Sequence, residues 1–245
     1  MAGNVILSAR MQAVADMVTA GNRVCDVGCD HGYVSIYLVQ KKISPSVLAM
    51  DVNEGPLLRA REHVADAGLF EYITLRLSDG LTAYGQEEAD TLICAGMGGR
   101  LMQRILAQYP SKTKAFKELI LQPQSELFLF RRFLRNVGYS IVWEDMILED
   151  EQFYPVIKAV LSKGERDSGD WEIEDRFGPV LIQRKHPILA AFLKREWANY
   201  LKVRDRLQQA GGAERTIIRL RELEEEMGYI KKAARLIGAD DGMEG

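Results

Sequence analysis

The run Val24-Cys25-Asp26-Val27-Gly28-Cys29-Asp30-His31-Gly32-Tyr33 decides how this chain folds. Its first part is apolar around a single acid, the pattern of a buried strand over residues 23–27. A glycine-bearing turn follows, and a helix opens near residue 31. Glycine has no Cβ, so the backbone at Gly28 can approach a ligand closely. In open α/β sheets, ligands bind beyond the carboxyl ends of strands, where the order of connections reverses. A first strand ending in an acid and a glycine therefore predicts a nucleoside-type pocket at this turn.

Strand and helix patterns alternate outward from the turn. Before it, residues 8–19 place Met11, Val14, Ala15, Met17 and Val18 at helical spacing, with Ser8 as candidate N-cap and Gly21 as candidate stop. Arg10, near the start of that helix, is either a phosphate contact or an ordinary solvated arginine. After it, the pattern predicts a helix over 31–39, a strand over 46–52 containing Asp51, and a helix over 56–67 that begins at Pro56 and stops at Gly68. A strand over 72–77 leads into Ser78-Asp79-Gly80, and one over 89–95 into Gly96-Met97-Gly98-Gly99. A helix over 100–109, a strand over 118–122 ending in Gln122-Pro123-Gln124, and a helix over 127–137 follow. Strands over 139–147 and 153–161 are separated only by Leu148-Glu149-Asp150-Glu151-Gln152, too short for a crossover helix, so they form an antiparallel hairpin. The sum is an α/β, Rossmann-like, seven-stranded and mostly parallel sheet with an antiparallel terminal hairpin. That is the layout of class I S-adenosylmethionine methyltransferases.

The rest of the chain has another character. Residues 163–177 are polar and acidic, which suits a linker. Beyond Pro187, residues 188–209 carry Leu189, Phe192, Leu193, Trp197, Tyr200, Leu201 and Leu207 near heptad spacing. Residues 213–237 do the same with Ile217, Leu220, Leu223, Met227, Ile230, Ala234 and Ile237, and Gly211-Gly212 joins the two runs. This predicts an antiparallel α-helical coiled-coil hairpin and a frayed tail at 240–245. The expected division is a catalytic domain at 1–163, then linker and helical hairpin at 164–245.

Net charge is −3 over 245 residues, so overall composition neither suggests nor excludes nucleic acid. Its distribution is more informative: residues 182–237 hold 13 Lys and Arg against 7 Asp and Glu. The three cysteines, Cys25, Cys29 and Cys94, lack metal-ligand spacing and fit a reducing compartment; no metal is expected. Residues 1–10 carry no secretion signal, and no apolar run reaches membrane-spanning length, which points to the cytoplasm and away from a membrane.

The turn spaces its glycines GxxxG at Gly28 and Gly32, whereas a dinucleotide fingerprint is GxGxxG. Asp30 falls where a pyrophosphate would lie and would repel it, yet suits a cationic sulfonium with an α-amino group. The charge pattern thus favours S-adenosylmethionine over a nicotinamide dinucleotide. Asp51, about twenty residues on, is placed to bind ribose hydroxyls. Ser78, Asp79 and Gly80 can receive an adenine amino group or form a simple Asp-Gly turn. Ala95, Gly96, Met97 and Gly98 follow the fourth strand, where substrate meets donor in this fold class; three glycines there predict either a flexible, open backbone beside the donor or a tight strand-to-helix connection. His31 contacts cofactor or substrate, or serves as a structural hydrogen bonder.

With Val24–Tyr33, Asp51-Val52-Asn53, Ser78-Asp79-Gly80-Leu81 and Ala95-Gly96-Met97-Gly98-Gly99, the chain resembles the TrmK family nearly throughout its length. These are bacterial tRNA methyltransferases acting on N1 of the adenine at position 22 in the D-arm. The resemblance implies S-adenosylmethionine held by Asp26, Gly28, Asp30, His31, Asp51, Val52, Ser78, Asp79, Gly80, Ala95 and Gly96. It implies transfer beside Asp30, Gly96, Met97 and Gly98, with Asp30 as charge stabiliser, proton acceptor or cofactor ligand. N1 has a lone pair of its own, so positioning and electrostatics outweigh the need for a strong base. The tRNA contacts expected are Arg10, Arg184, Lys185, Lys194, Arg195, Lys202, Arg204 and Arg206, in a monomer. The competing expectations are a methyltransferase for a small molecule or protein, and a cofactor-binding interaction protein without chemistry.

Overall fold

The computed structural model describes residues 4–162, 164, 170–209 and 214–243. The chain divides into two compact units, Met1–Arg166 and Asp167–Gly245. The first unit runs α1 (Ala9–Asp16), β1 (Val24–Val27), α2 (Tyr33–Gln40), β2 (Val47–Asp51), α3 (Glu54–Asp66), β3 (Ile73–Leu77), β4 (Thr91–Met97), α4 (Gly99–Gln108), α5 (Pro110–Ala115), β5 (Glu118–Pro123), α6 (Leu127–Asn136), β6 (Tyr139–Glu149) and β7 (Gln152–Leu161).

Its seven strands lie in the order β3-β2-β1-β4-β5-β7-β6. The first five are parallel, and β7 runs antiparallel to both of its neighbours. This is the expected mostly parallel sheet with its terminal hairpin. Strands covered by helices on both faces are apolar along their length, and every residue of β1, β2 and β5 is buried. The chain builds outward from β1 to β3, then returns to pair β4 with the other side of β1. The order of connections therefore reverses between β1 and β4, which sets the ligand crevice at their carboxyl ends.

Several local expectations are corrected. Helix α1 ends at Asp16, short of Gly21, and Ser8 holds the N-cap position without a side-chain cap bond. Helix α2 begins at Tyr33 because Gly32 takes a left-handed conformation, φ +74°, ahead of it. Strand β4 continues through Gly96 to Met97 across an irregularity in its pairing with β5. The β6–β7 turn is only Asp150-Glu151, both at positive φ, the backbone of a two-residue hairpin turn.

At the opposite end of the sheet Glu118 ties three strands and the segment after α1 together. Its buried carboxylate accepts the Thr19 N–H and hydroxyl (2.9 and 2.6 Å), the Thr91 hydroxyl (2.8 Å) and the Lys158 ammonium (2.8 Å). Burial alone pushes this carboxyl up, and the four donors outweigh it, holding it below its ordinary value. Glu118→Gln is expected to cost about 1–2 kcal/mol of stability at neutral pH, measured by urea unfolding. The wild-type advantage is present above the carboxyl's unfolded value and is lost as pH falls through its lowered folded value, so the two curves converge in acid.

The second unit contains α7 (Trp171–Phe177), α8 (Pro179–Gln183), α9 (Pro187–Gln209) and α10 (Glu214–Ile237). The described part of the expected linker is thus partly helical: Asp170 caps α7 by accepting the Ile173 N–H, and Ile173 and Phe177 are buried. Residues 163 and 165–169 of that stretch, Gly211-Gly212 and residues 244–245 of the tail lie outside the described residues. Helices α9 and α10 pack together as a hairpin. Leu189, Leu193 and Trp197 are buried on α9; Leu223, Met227, Ile230, Ala233, Ala234 and Ile237 are buried on α10. Between Trp197 and Leu223 no described residue is fully buried, and Tyr200, Leu201 and Leu207 are only half-buried.

Candidate functional site

The turn after β1 is sewn to the end of β2. Gly28 and Cys29 both donate their N–H to the Met50 carbonyl (2.8 and 3.0 Å), and Gly32 donates to the Cys29 carbonyl (2.8 Å). The Asp30 N–H donates to Asp51 Oδ2 (3.2 Å), and the Asn53 N–H to Asp51 Oδ1 (2.9 Å). Asp51 is therefore held by backbone donors on each oxygen, with lone pairs left for further donors. A Cβ at Gly28, where φ is +78°, would lie 2.8 Å from the Met97 methyl. The methionine methyl could yield, but the left-handed backbone at Gly28 is one that an L side chain rarely adopts, and that keeps glycine here.

A cavity of about 520 Å³ opens at the carboxyl ends of β1 and β4. It gathers Asp26, Gly28, Asp30, His31, Ala95 and Gly96 from the expected site, together with Arg10. Asp26 is buried at its wall and accepts the Ser35 hydroxyl (2.7 Å). Burial pushes its carboxyl up to about 6, against the pull of the Ser35 hydrogen bond, with Asp51 adding to the rise. Asp30 sits at positive φ, with its side chain largely exposed and Oδ1 3.6 Å from His31 Nε2. Arg10 is held by Glu149 (3.4 Å) and lies over the Tyr154 ring, 5.0 Å from its centroid.

Asp51, Val52, Ser78, Asp79, Gly80, Met97 and Gly98 do not line this cavity. They flank it along the same edge of the sheet. The Ser78 N–H donates to the Asp51 carbonyl (2.8 Å), while its hydroxyl donates to the Gly80 carbonyl (2.9 Å) and accepts the Ala83 N–H (3.0 Å). Val52 and Asp79 are exposed, with Arg104 Nη2 3.9 Å from the Asp79 carboxylate. Of the two readings of the glycine loop the tight connection holds, and the open one does not: the backbone is clamped. The Gly96 N–H donates to Gln122 Oε1 (2.9 Å), and the Met97 carbonyl accepts the Gln124 N–H (3.0 Å). A Cβ at Gly99 would come within 2.5 Å of the Ser125 carbonyl oxygen. These glycines permit close packing of β4 and α4 on the chain after β5; they do not loosen it.

Sequence reasoning passed over other parts of the wall: Leu7, Met11, Tyr33 and Gln124 also line the cavity. Gln124 had a signal, since it follows a parallel strand at the ligand edge of the sheet. Leu7 had none; only tertiary folding brings it there.

The seven basic residues Arg184, Lys185, Lys194, Arg195, Lys202, Arg204 and Arg206 belong to the second unit. Spacings of seven and four put Arg195, Lys202 and Arg206 on one stripe of α9. Arg204 points elsewhere and is half-buried, with Nε 3.8 Å from Asp205. Among the described residues no cluster of His, Cys, Asp or Glu could hold a metal ion, and no helix is long and apolar enough to cross a membrane.

The crevice fits S-adenosylmethionine on chemical grounds: a left-handed glycine on its wall, a ribose-type acid anchored beside it, and the Asp26 and Asp30 carboxylates along it to suit a cation. Sheet order, terminal hairpin and crevice define a methyltransferase, and the methyltransferase-domain family matches residues 7–157. A Bacillus subtilis protein named tRNA (adenine(22)-N(1))-methyltransferase is 32% identical over 234 residues, 92% of this chain and 96% of that one. The crystal structure of the B. subtilis M1A22 tRNA methyltransferase TrmK superposes with a TM-score of 0.84 at 30% identity, covering 94% of this chain and 99% of that one. M. capricolum TrmK in complex with S-adenosyl-homocysteine gives 0.81 at 27% identity, covering 94% and 99%. The chain belongs to the TrmK family.

Proposed function

We propose that this chain transfers a methyl group from S-adenosylmethionine to N1 of adenine 22 in the D-arm of tRNA, acting as a cytoplasmic monomer. The observation that carries this is the end-to-end correspondence with the B. subtilis enzyme, which includes the helical hairpin as well as the catalytic fold. A methyltransferase sharing only the catalytic fold would match over the first unit alone.

When bound, S-adenosylmethionine supplies an electrophilic methyl group on a sulfonium centre. Asp51 holds the ribose hydroxyls, with Val52, Ser78, Asp79 and Gly80 around the adenosine and Gly28 allowing the backbone to approach. Asp26, Asp30, His31, Ala95 and Gly96 surround the methionine portion and the reacting edge. Methylation of N1 leaves the adenine cationic and removes no proton from that nitrogen. The chain's tasks are therefore to present N1 in line, exclude water and keep the local potential negative. Asp30 and buried Asp26 supply that potential. Ala95 and Gly96 give the cavity a backbone wall, and Met97 and Gly98 behind it keep that wall rigid because Gln122 and the segment after β5 hold them. Arg10, fixed by Glu149 and Tyr154, offers a cation at the cavity wall for a nucleotide phosphate.

The α9 stripe, with Lys194, Arg204, Arg184 and Lys185 nearby in sequence, contributes phosphate contacts to the folded tRNA. Replacing Lys202 and Arg206 together by glutamate is expected to weaken tRNA binding roughly tenfold or more and to flatten its salt dependence. Cofactor affinity should not change; filter binding across a salt series with parallel cofactor titration reads both.

Radiolabelled methyl transfer to an unmodified bacterial tRNA transcript tests the function directly. Incorporation that disappears when adenine 22 is replaced by uridine is expected. Incorporation that survives the replacement places the reaction elsewhere. No incorporation into tRNA by a chain that still binds cofactor overturns the proposal.

A further inference from the structure

The rim of the cavity carries an aromatic cluster to which the fold alone gives no purpose. Tyr33, the first residue of α2, lines the cavity yet is 46% exposed. Its ring stacks on His63, from the last turn of α3, with centroids 4.7 Å apart and planes 20° from parallel. His31 is 5.8 Å from each of the other two rings.

The hydrogen bonds of the cluster have a fixed direction. His63 Nδ1 lies 2.9 Å from the His31 carbonyl oxygen, which can only accept, so Nδ1 carries the proton. In the neutral imidazole Nε2 is then an acceptor, and the Tyr33 hydroxyl, 3.4 Å away, donates to it. Backbone, His63 and Tyr33 thus form a relay that holds the Tyr33 ring in one orientation. A half-exposed aromatic ring, braced on one face and set at the edge of a pocket, suits a planar partner. Enzymes that modify a base stack the extruded base on such side chains.

We propose that Tyr33 is the stacking platform for the adenine that enters the cavity, and that His63 is its positioning residue. This rests on the tRNA substrate argued above and adds two residues to its recognition. His63 does not itself line the cavity, so its effect passes through Tyr33.

The test is steady-state methylation of the tRNA transcript, with cofactor affinity measured by calorimetry and folding by thermal melting. Tyr33→Ala should lower kcat/KM for tRNA roughly ten- to hundredfold, the range typical of a lost base–aromatic stack. Its cofactor affinity should match wild type. Tyr33→Phe, which keeps the ring and loses only the hydroxyl link to His63, should lose no more than His63→Ala, whereas Tyr33→Leu, apolar but not aromatic, should behave like alanine. His63→Ala should show a smaller loss, and adding it to Tyr33→Ala should cost nothing further, because a positioning residue has nothing left to position. With 2-aminopurine in place of the target adenine, bound wild type should quench the fluorescence and Tyr33→Ala should leave it bright.

A Tyr33→Ala variant as active as wild type overturns the platform while leaving the tRNA reaction standing. A loss confined to cofactor affinity also overturns it, assigning Tyr33 to the cofactor. Independent, additive losses at the two positions overturn the role given to His63. Wild type that methylates no tRNA overturns both the platform and the function on which it rests.

Discussion

Asp51→Ala is expected to weaken S-adenosylmethionine binding roughly a hundredfold, by removing hydrogen bonds from ribose hydroxyls to a charged acceptor. The carboxylate has a second task in this fold. It also accepts the Asp30 and Asn53 N–H groups, so it holds the turn after β1 against the end of β2. Alanine removes the one acceptor that these two N–H groups share, and although water can reach both donors the turn should lose order together with affinity. Asp51→Asn keeps the shape and one acceptor oxygen, so its loss should be smaller. Calorimetric titration with S-adenosylmethionine and S-adenosylhomocysteine measures both variants. Direct binding of tRNA to the second unit's basic stripe should persist, and unchanged cofactor affinity in Asp51→Ala would remove Asp51 from the ribose site.

Asp26→Asn should move stability and binding in opposite directions. Burial raises the Asp26 carboxyl from 3.8 to about 6 in the folded chain. The folded state therefore holds its proton over a range where the unfolded chain has released it. Stability falls as pH rises from about 4 to 6, and above that the charged, buried group costs about 3 kcal/mol. Asparagine removes that cost. The variant should melt several degrees higher than wild type near pH 7.5, with the gap closing toward pH 4. It should also bind S-adenosylmethionine about tenfold more weakly, because the negative potential at the cavity wall is lost. In wild type, affinity should fall as pH drops through about 6. A melting temperature that is unchanged or lower, with binding intact, would show that Asp26 is charged at no cost and is not used by the cofactor.

Stability given up at one carboxylate to hold a cationic ligand is the kind of conflict that patterning can flag. Asp26 stands out in the sequence as an acid inside an apolar strand, and its two glycine neighbours in the turn mark the crevice. Parallel strands covered on both faces must be apolar throughout, which is why β1, β2, β4 and β5 are legible. The short acidic interval before Gln152 leaves a hairpin as the only connection, which made the edge of the sheet legible too.

What escaped has equally physical causes. Strand β4 does not stop at its first glycine, because Gly96 passes through an irregular ladder position that local pattern treats as a terminator. Helix α7 buries only Ile173, Asp175 and Phe177 of its seven residues, so its polarity resembles a linker. The contribution of Leu7 and Met11 to the cavity wall depends on α1 lying against the sheet, a contact between distant segments with no local signature. Tyr33 was legible as part of the turn but not as a half-exposed ring, since the bracing His63 comes from the following helix.

The fading of burial along the helical hairpin has a consequence for how this chain opens. Beyond Trp197, the last dozen residues of α9 run for roughly 18 Å with no fully buried side chain among them. Helical stability in proteins comes mostly from tertiary packing. The amide protons of that arm should therefore exchange with solvent through local fraying, while those near Leu189 and Leu193 wait for cooperative unfolding of their unit. The basic stripe crosses this divide: Arg195 stands on the protected part, Lys202 and Arg206 on the part that breathes.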